Sequence, residues 1–332
     1  MPHKVVIAPD SFKGSIAALD AAAAVAEGWR SVRPDDDLRL LPQADGGEGT
    51  LDAVESAVAG TERRIVRSIT GPDGRPVDAA WLMLPDGTAV VELAESSGLP
   101  LMLRLDPLGA TTRGLGEVIA EALAAHARRL LVGLGGSAST DGGAGVLEVV
   151  PTTDVEVVLL TDVTAPLLGP TGAAAVFAPQ KGASPEQVAE LELRLEALAA
   201  RLGGAPSAAG AGAAGGTAYG LATAWGASIQ SGSDFLAELT GLDAAIASAT
   251  VVLTGEGRFD SQSLTGKVVG RVLERATGHG VATGVIAGLL ELEPQGWSVS
   301  LSSLAGSAEA SLADPARWLR AAGAAAARGL GD

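Results

Sequence analysis

The sequence predicts a two-domain α/β protein. Three observations carry that expectation. Short apolar runs read as buried strands, and several of them end in loops of glycine with aspartate or glutamate that open helix-capable segments. Strands alternating with helices in this way build parallel sheets. The composition is 47% hydrophobic but only 3% aromatic, with 45 glycines, which suits an Ala/Val/Leu-packed core with many tight turns. The length, 332 residues, exceeds one ordinary core.

Taken in order, Val5 to Ala8 reads as a strand, followed by the loop Asp10-Ser11-Phe12-Lys13-Gly14 and a helix capped by Ser15 that runs to about Arg30. Leu38 to Leu41 is a second strand, leading through Ala44-Asp45-Gly46-Gly47-Glu48-Gly49 into a helix from Thr50 to about Val58. From Arg63 the pattern alternates and is broken by PDG and DG turns, as in antiparallel hairpins. That change marks an expected inserted domain, residues 63–249, within a discontinuous Rossmann-like domain of residues 1–62 and 250–332. Glu92, Glu95, Ser96 and Ser97 read as a solvated strand end, with Glu95 and Ser96 as further site candidates.

The central feature is Leu130 to Val146, LLVGLGGSASTDGGAGV. A strand enters the loop Gly135 to Gly143 and a helix leaves it. Such a loop is suited to holding phosphate, because uncovered N–H groups and a helix N-terminus both favour an anion. Val155 to Leu160 is the next strand, ending at Asp162, a candidate Mg²⁺ ligand. Ser184, Pro185 and Gln187 open an amphipathic helix to Leu202. The run Gly210 to Gly216 reads either as a linker or as close backbone approach to a ligand, and the uncharged helix that follows favours the latter. Ala249 to Leu253 is a strand, then TGEGRFDS forms a loop before Leu264-Thr265-Gly266-Lys267 opens a helix. That last motif is not a P-loop, since no glycine stands five residues before Gly266 and Val268 occupies the Ser/Thr position. Val281 to Ala287 and Val299 to Leu304 complete the strands.

Several function classes are set aside. The net charge of −16 argues against generic nucleic-acid binding. Without cysteine there is no thiolate or disulfide chemistry. His3, His126 and His279 have no metal-site spacing. No dinucleotide fingerprint and no nucleophile elbow occur. No stretch reads as a membrane span or signal peptide, so a cytoplasmic protein is expected. Only four of the 23 basic residues are lysines, and Lys13, Lys181 and Lys267 each adjoin a glycine in a loop. A compact ammonium there suits phosphate or carboxylate. Glycine loops, acids and lysines together are the parts that phosphoryl transfer needs.

In order and spacing, VVIAPDSFKGS, ADGGEGT, VGLGGSASTDGGAG, FAPQKGA, GAGAAGG and TGEGRFDSQSLTGK resemble the conserved segments of bacterial glycerate kinases. The resemblance spans Val5 to about Gly270. It implies two α/β domains, one inserted in the other, an active site in the cleft between them, and phosphorylation of D-glycerate with ATP and Mg²⁺, most simply to 2-phosphoglycerate. It also implies roles. Lys13, Asp141, Lys181, Arg258 and Lys267 are the expected catalytic residues, with Asp141 orienting the acceptor hydroxyl and Lys181 reaching across the cleft. Asp10, Ser11, Glu256 and Asp260 are expected to bind substrate. Gly135, Gly136, Ser137, Gly142, Gly143, Gly215 and Gly216 are expected to bind phosphate or nucleotide, and Asp45, Glu48 and Asp162 to hold the metal. The chain departs from the usual pattern at Ser139-Thr140, at Thr265, at Thr164-Ala165, and in a shorter segment near Val150. The alternatives are a kinase of another small hydroxy acid and a non-catalytic nucleotide- or anion-binding relative. Oligomeric state is left open, a homodimer being one option.

Overall fold

The structure is a computed structural model that describes residues 2–12, 14–264 and 268–331. The chain begins with β1 (Lys4–Ile7), α1 (Ala18–Arg30), β2 (Asp37–Leu40) and α2 (Thr50–Ala57). There follow β3 (Glu62–Thr70), β4 (Pro76–Met83), β5 (Thr88–Glu92), α3 (Leu93–Ser97), α4 (Arg113–Ala124), β6 (Arg129–Gly133), α5 (Ala144–Val149) and β7 (Glu156–Leu160). Next come α6 (Ala173–Phe177), α7 (Pro185–Leu202), α8 (Thr217–Trp225), β8 (Ser228–Gln230), α9 (Gly232–Leu239) and α10 (Leu242–Ser248). The chain closes with β9 (Val251–Phe259), α11 (Val268–Gly278), β10 (Ala282–Leu290), β11 (Trp297–Ser300), α12 (Leu301–Ala305), α13 (Ala308–Ala313) and α14 (Pro315–Gly329). Among the described residues no helix is long and apolar enough to cross a membrane.

These elements form two compact units. One comprises the residues up to Ala44, Asp52–Val58 and the chain from Ser233 onward; the other comprises Asp45–Leu51 and Ala59–Gly232. The return to the first unit comes at Ser233, so α10 packs with that unit ahead of β9.

The first unit has an all-parallel sheet in the order β11-β10-β9-β1-β2. Side chains alternate across it. Val5, Ile7, Val251 and Leu253 face α1 and α14 through Val25, Trp29, Leu319 and Ala322. Val6, Ala8 and Val252 face the opposite helices through Leu242, Ile246, Val268 and Val272. Burial on both faces explains why the strands read as unbroken apolar runs.

Three details depart from the sequence reading. First, β9 continues to Phe259, so Glu256 and Arg258 are strand residues and not loop residues. The strand outlasts β1 because β10 goes on pairing with it, Ala287 opposite Glu256 and Leu289 opposite Arg258. Second, α1 starts at Ala18 with no side-chain cap from Ser15, because Phe12 and Ile16 bridge across the turn and keep that stretch non-helical. Third, the predicted strand at Val299 to Leu304 gives way at Ser300, whose side chain caps α12.

The second unit holds a mixed sheet in the order β3-β4-β5-β6-β7-β8. β3, β4 and β5 pair antiparallel; β5, β6, β7 and β8 pair parallel. Its core sets Val91, Leu130, Val132 and Leu159 against Leu115 and Ile119 of α4. The capping box of α7 forms as expected, with Ser184 and Gln187 bonded reciprocally. The central glycine loop leaves β6 at the C-terminal edge of the parallel strands, where open α/β sheets place ligands.

Candidate functional site

In the second unit three glycine-rich segments lie directly on one another. Gly135 donates its N–H to the Gly46 carbonyl at 3.1 Å, and a Cβ at Gly135 would overlap the Gly47 backbone. Gly142 donates to the Gly215 carbonyl at 3.0 Å, and a Cβ at Gly215 would overlap the Ser139 carbonyl. The run Gly210 to Gly216 is therefore a packed segment that supports the central loop. From the other side, Ala138 donates to Ser97 and Leu99 donates to Gly136.

This packing corrects one expectation about the loop. The N–H groups of Gly135, Ala138, Ser139, Gly142 and Gly143 are not free donors; they bond to Gly46, Ser97, the Ser137 hydroxyl, Gly215 and the Asp141 carboxylate. A side chain at Gly142, Gly215 or Gly216 would strike a neighbouring loop or helix, and one at Gly143 would press on Thr217, so these glycines serve close backbone approach. Among the described residues, the backbone N–H groups of Gly136, Ser137, Thr140 and Asp141 have no acceptor. The Thr140 hydroxyl is buried and also without a partner among them.

Asp141 was expected to orient the acceptor hydroxyl. Its carboxylate is engaged within the protein. Oδ2 accepts from the Thr112 N–H at 2.9 Å, the Thr112 hydroxyl at 2.8 Å and the Gly145 N–H at 3.2 Å, while Oδ1 accepts from the Gly143 N–H at 3.0 Å. Three donors converge on Oδ2 and one on Oδ1, so the residue acts as a clamp that starts α5 and ties the loop to α4.

Lys181 ends a short 3₁₀ turn, Pro179–Lys181, and is only 3% exposed. Its Nζ donates to the Ser139 carbonyl in the same unit. Burial pushes its pKa down to about 8, against the partly compensating charge of Asp141. It lies beneath the central loop, rather than extended as a surface cation.

The proposed metal ligands Asp45, Glu48 and Asp162 do not form a three-carboxylate cluster; among the described residues no three His, Cys, Asp or Glu side chains converge on a metal position. Glu48 is exposed, Asp45 turns back to accept from the Gly47 N–H at 3.0 Å, and Asp162 accepts from the Ser231 hydroxyl at 2.8 Å. Asp45 and Asp162 still belong to one neighbourhood. Gly232, next to Ser231, backs onto the Asp45 carbonyl, and Gly46 backs onto Leu160. Mg²⁺ is commonly held by one or two carboxylates with waters and substrate phosphates, a role that does not require a three-carboxylate cluster.

A residue missed in the sequence is Glu92. It is 3% exposed, and its two oxygens accept from the Gly49 N–H at 3.1 Å and the Leu51 N–H at 3.2 Å. It closes the Asp45–Gly49 loop and caps the start of α2. The signal was an acid ending the largely apolar run Ala89-Val90-Val91. Glu95, by contrast, accepts from the Ala80 N–H and serves the sheet.

In the first unit, the ends of β1 and β9 meet. Asp10 donates its N–H to the Gly255 carbonyl at 2.8 Å, and its carboxylate accepts from the Ser11 N–H at 2.7 Å. Asp10, Ser11 and Glu256 are thereby placed at one sheet edge. The Ser11 hydroxyl is buried and has no partner among the described residues. Such an orphan is costly unless a ligand or water fills it. Arg258 pairs with Glu291 at 2.5 Å and Asp260 at 4.0 Å. Asp260 also shapes its own turn by accepting from the Gln262 N–H at 2.7 Å. Lys13 and Lys267, two of the expected catalytic cations, lie outside the described residues.

The profile of the glycerate kinase family matches residues 5–152 and 149–330. A Mycobacterium bovis protein of uncharacterised function is 41% identical, over 99% of this chain and 92% of its own length. The glycerate kinase of Bacillus subtilis is 40% identical, over 86% of this chain and 85% of its own. The glycerate 2-kinase of Escherichia coli K12 is 38% identical, over 80% of each. A crystal structure of a Salmonella typhimurium LT2 protein described as glycerate kinase 2 superposes with a TM-score of 0.81 at 33% identity, covering 99% of this chain and 98% of that one.

Proposed function

The chain belongs to the glycerate kinase family, and on that premise we propose that it transfers the γ-phosphoryl group of ATP to the 2-hydroxyl of D-glycerate, forming 2-phosphoglycerate and ADP. The observation that carries this reading is the packed glycine loop of the second unit. Its remaining unpaired donors, from Gly136, Ser137, Thr140 and Asp141, are collected on one short segment fixed from three sides. Such preorganised donors stabilise phosphate charge.

In the proposed reaction the glycerate hydroxyl oxygen bonds to the γ-phosphorus and the bond from that phosphorus to the leaving ADP oxygen breaks. The hydroxyl proton is released. Little covalent chemistry is asked of the protein, which acts by positioning and by charge. Gly136 and Ser137 would hold phosphate oxygens. Asp45 and Asp162 would hold Mg²⁺, which when bound supplies charge neutralisation at the phosphates. Asp10, Ser11 and Glu256 would receive the hydroxyl-bearing substrate, Ser11 through its orphaned hydroxyl. Lys13 and Lys267 would supply cations. Arg258 is held in ion pairs and is proposed to set the field at the end of β9.

The test is ADP formation with Mg-ATP and a panel of small hydroxy acids. A kcat/KM for D-glycerate at least tenfold above that for lactate, glycolate and tartrate supports the assignment. Preference for another acid contradicts the substrate, and no acceptor-dependent ADP contradicts the activity.

A further inference from the structure

Lys181 offers an inference that deepens the reading above and rests on it. The residue is buried, and its side chain is turned into the central loop of its own unit. Its ammonium spends a hydrogen bond on a main-chain carbonyl, that of Ser139. The same carbonyl is backed by Gly215, placed so closely that no side chain fits between them. Ser139 is followed by Thr140 and Asp141, two of the four loop residues whose N–H groups remain open. Asp141, two residues after Ser139, is fixed by Thr112, Gly143 and Gly145. The Ser139 peptide is therefore gripped from both sides, and its orientation sets where the following N–H groups point.

Burying a lysine is costly, and a neutral side chain of similar volume would fill the same space more cheaply. What an ammonium adds is a strong, charge-assisted grip on one carbonyl oxygen. It also directs positive charge through that peptide toward the open donors, since polarising the carbonyl strengthens the N–H groups further along.

We propose that Lys181 is a positioning residue, which aligns the phosphate-holding donors of the central loop by gripping the Ser139 carbonyl without itself touching the nucleotide.

The test compares wild type, Lys181→Met and Lys181→Arg. Amide hydrogen exchange over residues 135–143 is read in the protein without ligands, so this arm does not depend on any activity. We expect exchange there to speed up at least fivefold in K181M, with other segments unchanged, and to return toward wild type in K181R. With Mg-ATP and D-glycerate, K181M should raise the KM for ATP and lower kcat at least tenfold together, while the KM for D-glycerate stays within twofold. Unchanged exchange over residues 135–143 in K181M would overturn the proposal, as would K181R behaving like K181M. A wild type without kinase activity would instead overturn the functional reading, and the exchange result would still decide whether Lys181 holds the loop.

Discussion

Lys181 and Ser139 are 42 positions apart in the chain, and the ammonium of the first grips the main-chain carbonyl of the second inside the central loop. The arrangement has a thermodynamic signature. Burial holds the Lys181 pKa near 8, whereas its ordinary value is 10.5. Between those values the unfolded chain binds more protons at this site than the folded one. Stability from this group therefore rises with pH across the window from about 8 to 10.5 and is at its lowest below pH 8. The difference corresponds to about 3 kcal/mol. In urea unfolding, the stability of wild type relative to K181M should rise as pH goes from 8 to 10. A difference between the two proteins that does not change with pH would contradict the buried ammonium.

Asp141 is predicted to be a scaffold residue. Asp141→Ala removes the acceptor for four donors from Thr112, Gly143 and Gly145. Unfolding free energy should fall by about 3 kcal/mol, with loss of activity. If Asp141 were chiefly the group that orients the acceptor hydroxyl, the alanine variant would keep its stability and lose only kcat.

Glu92 makes a parallel prediction for the Asp45–Gly49 loop. Glu92→Ala leaves the N–H groups of Gly49 and Leu51 without these acceptors. The expected cost is about 2–3 kcal/mol, and Glu92→Gln, which keeps one oxygen, should cost less. Denaturant melts of the two variants decide the order.

Gly215 and Gly226 form a matched pair. Both have positive φ, +61° and +67°. A Cβ at Gly226 meets open space, whereas one at Gly215 would overlap the Ser139 carbonyl. Gly226→Ala should cost about 1 kcal/mol, the conformational penalty alone. Gly215→Ala should cost about 3 kcal/mol or more, because the loop must shift as well. Equal costs in thermal unfolding would mean that the loops are not packed as described.

Much of this was legible in the sequence because strand, loop and helix signals are local. The βα units, the hairpins after Arg63, the Ser184 capping box and the family resemblance all rest on residues close together in the chain. What was not legible depends on partners far away. Whether the Gly142 N–H is free to bind phosphate is decided by Gly215, 73 positions on, and whether Asp141 is free to act is decided by Thr112. Glu92 looked like a solvated strand end because nothing local shows that it faces Gly49 and Leu51. β9 ran past its predicted end because its neighbour β10 kept pairing with it, a tertiary contact that no propensity records. The carboxylates Asp45, Glu48 and Asp162 looked alike in sequence; the fold exposes Glu48 and directs Asp162 to Ser231.

The central claim is the reaction, and one measurement addresses it most directly. The protein is supplied with Mg-ATP and D-glycerate, and the product is passed to enolase without phosphoglycerate mutase. Absorbance from phosphoenolpyruvate, dependent on both substrates, is the predicted result. ADP formation with no enolase signal until mutase is added would place the phosphate on the 3-hydroxyl and contradict the proposed product, and no glycerate-dependent ADP at all would contradict the proposed activity.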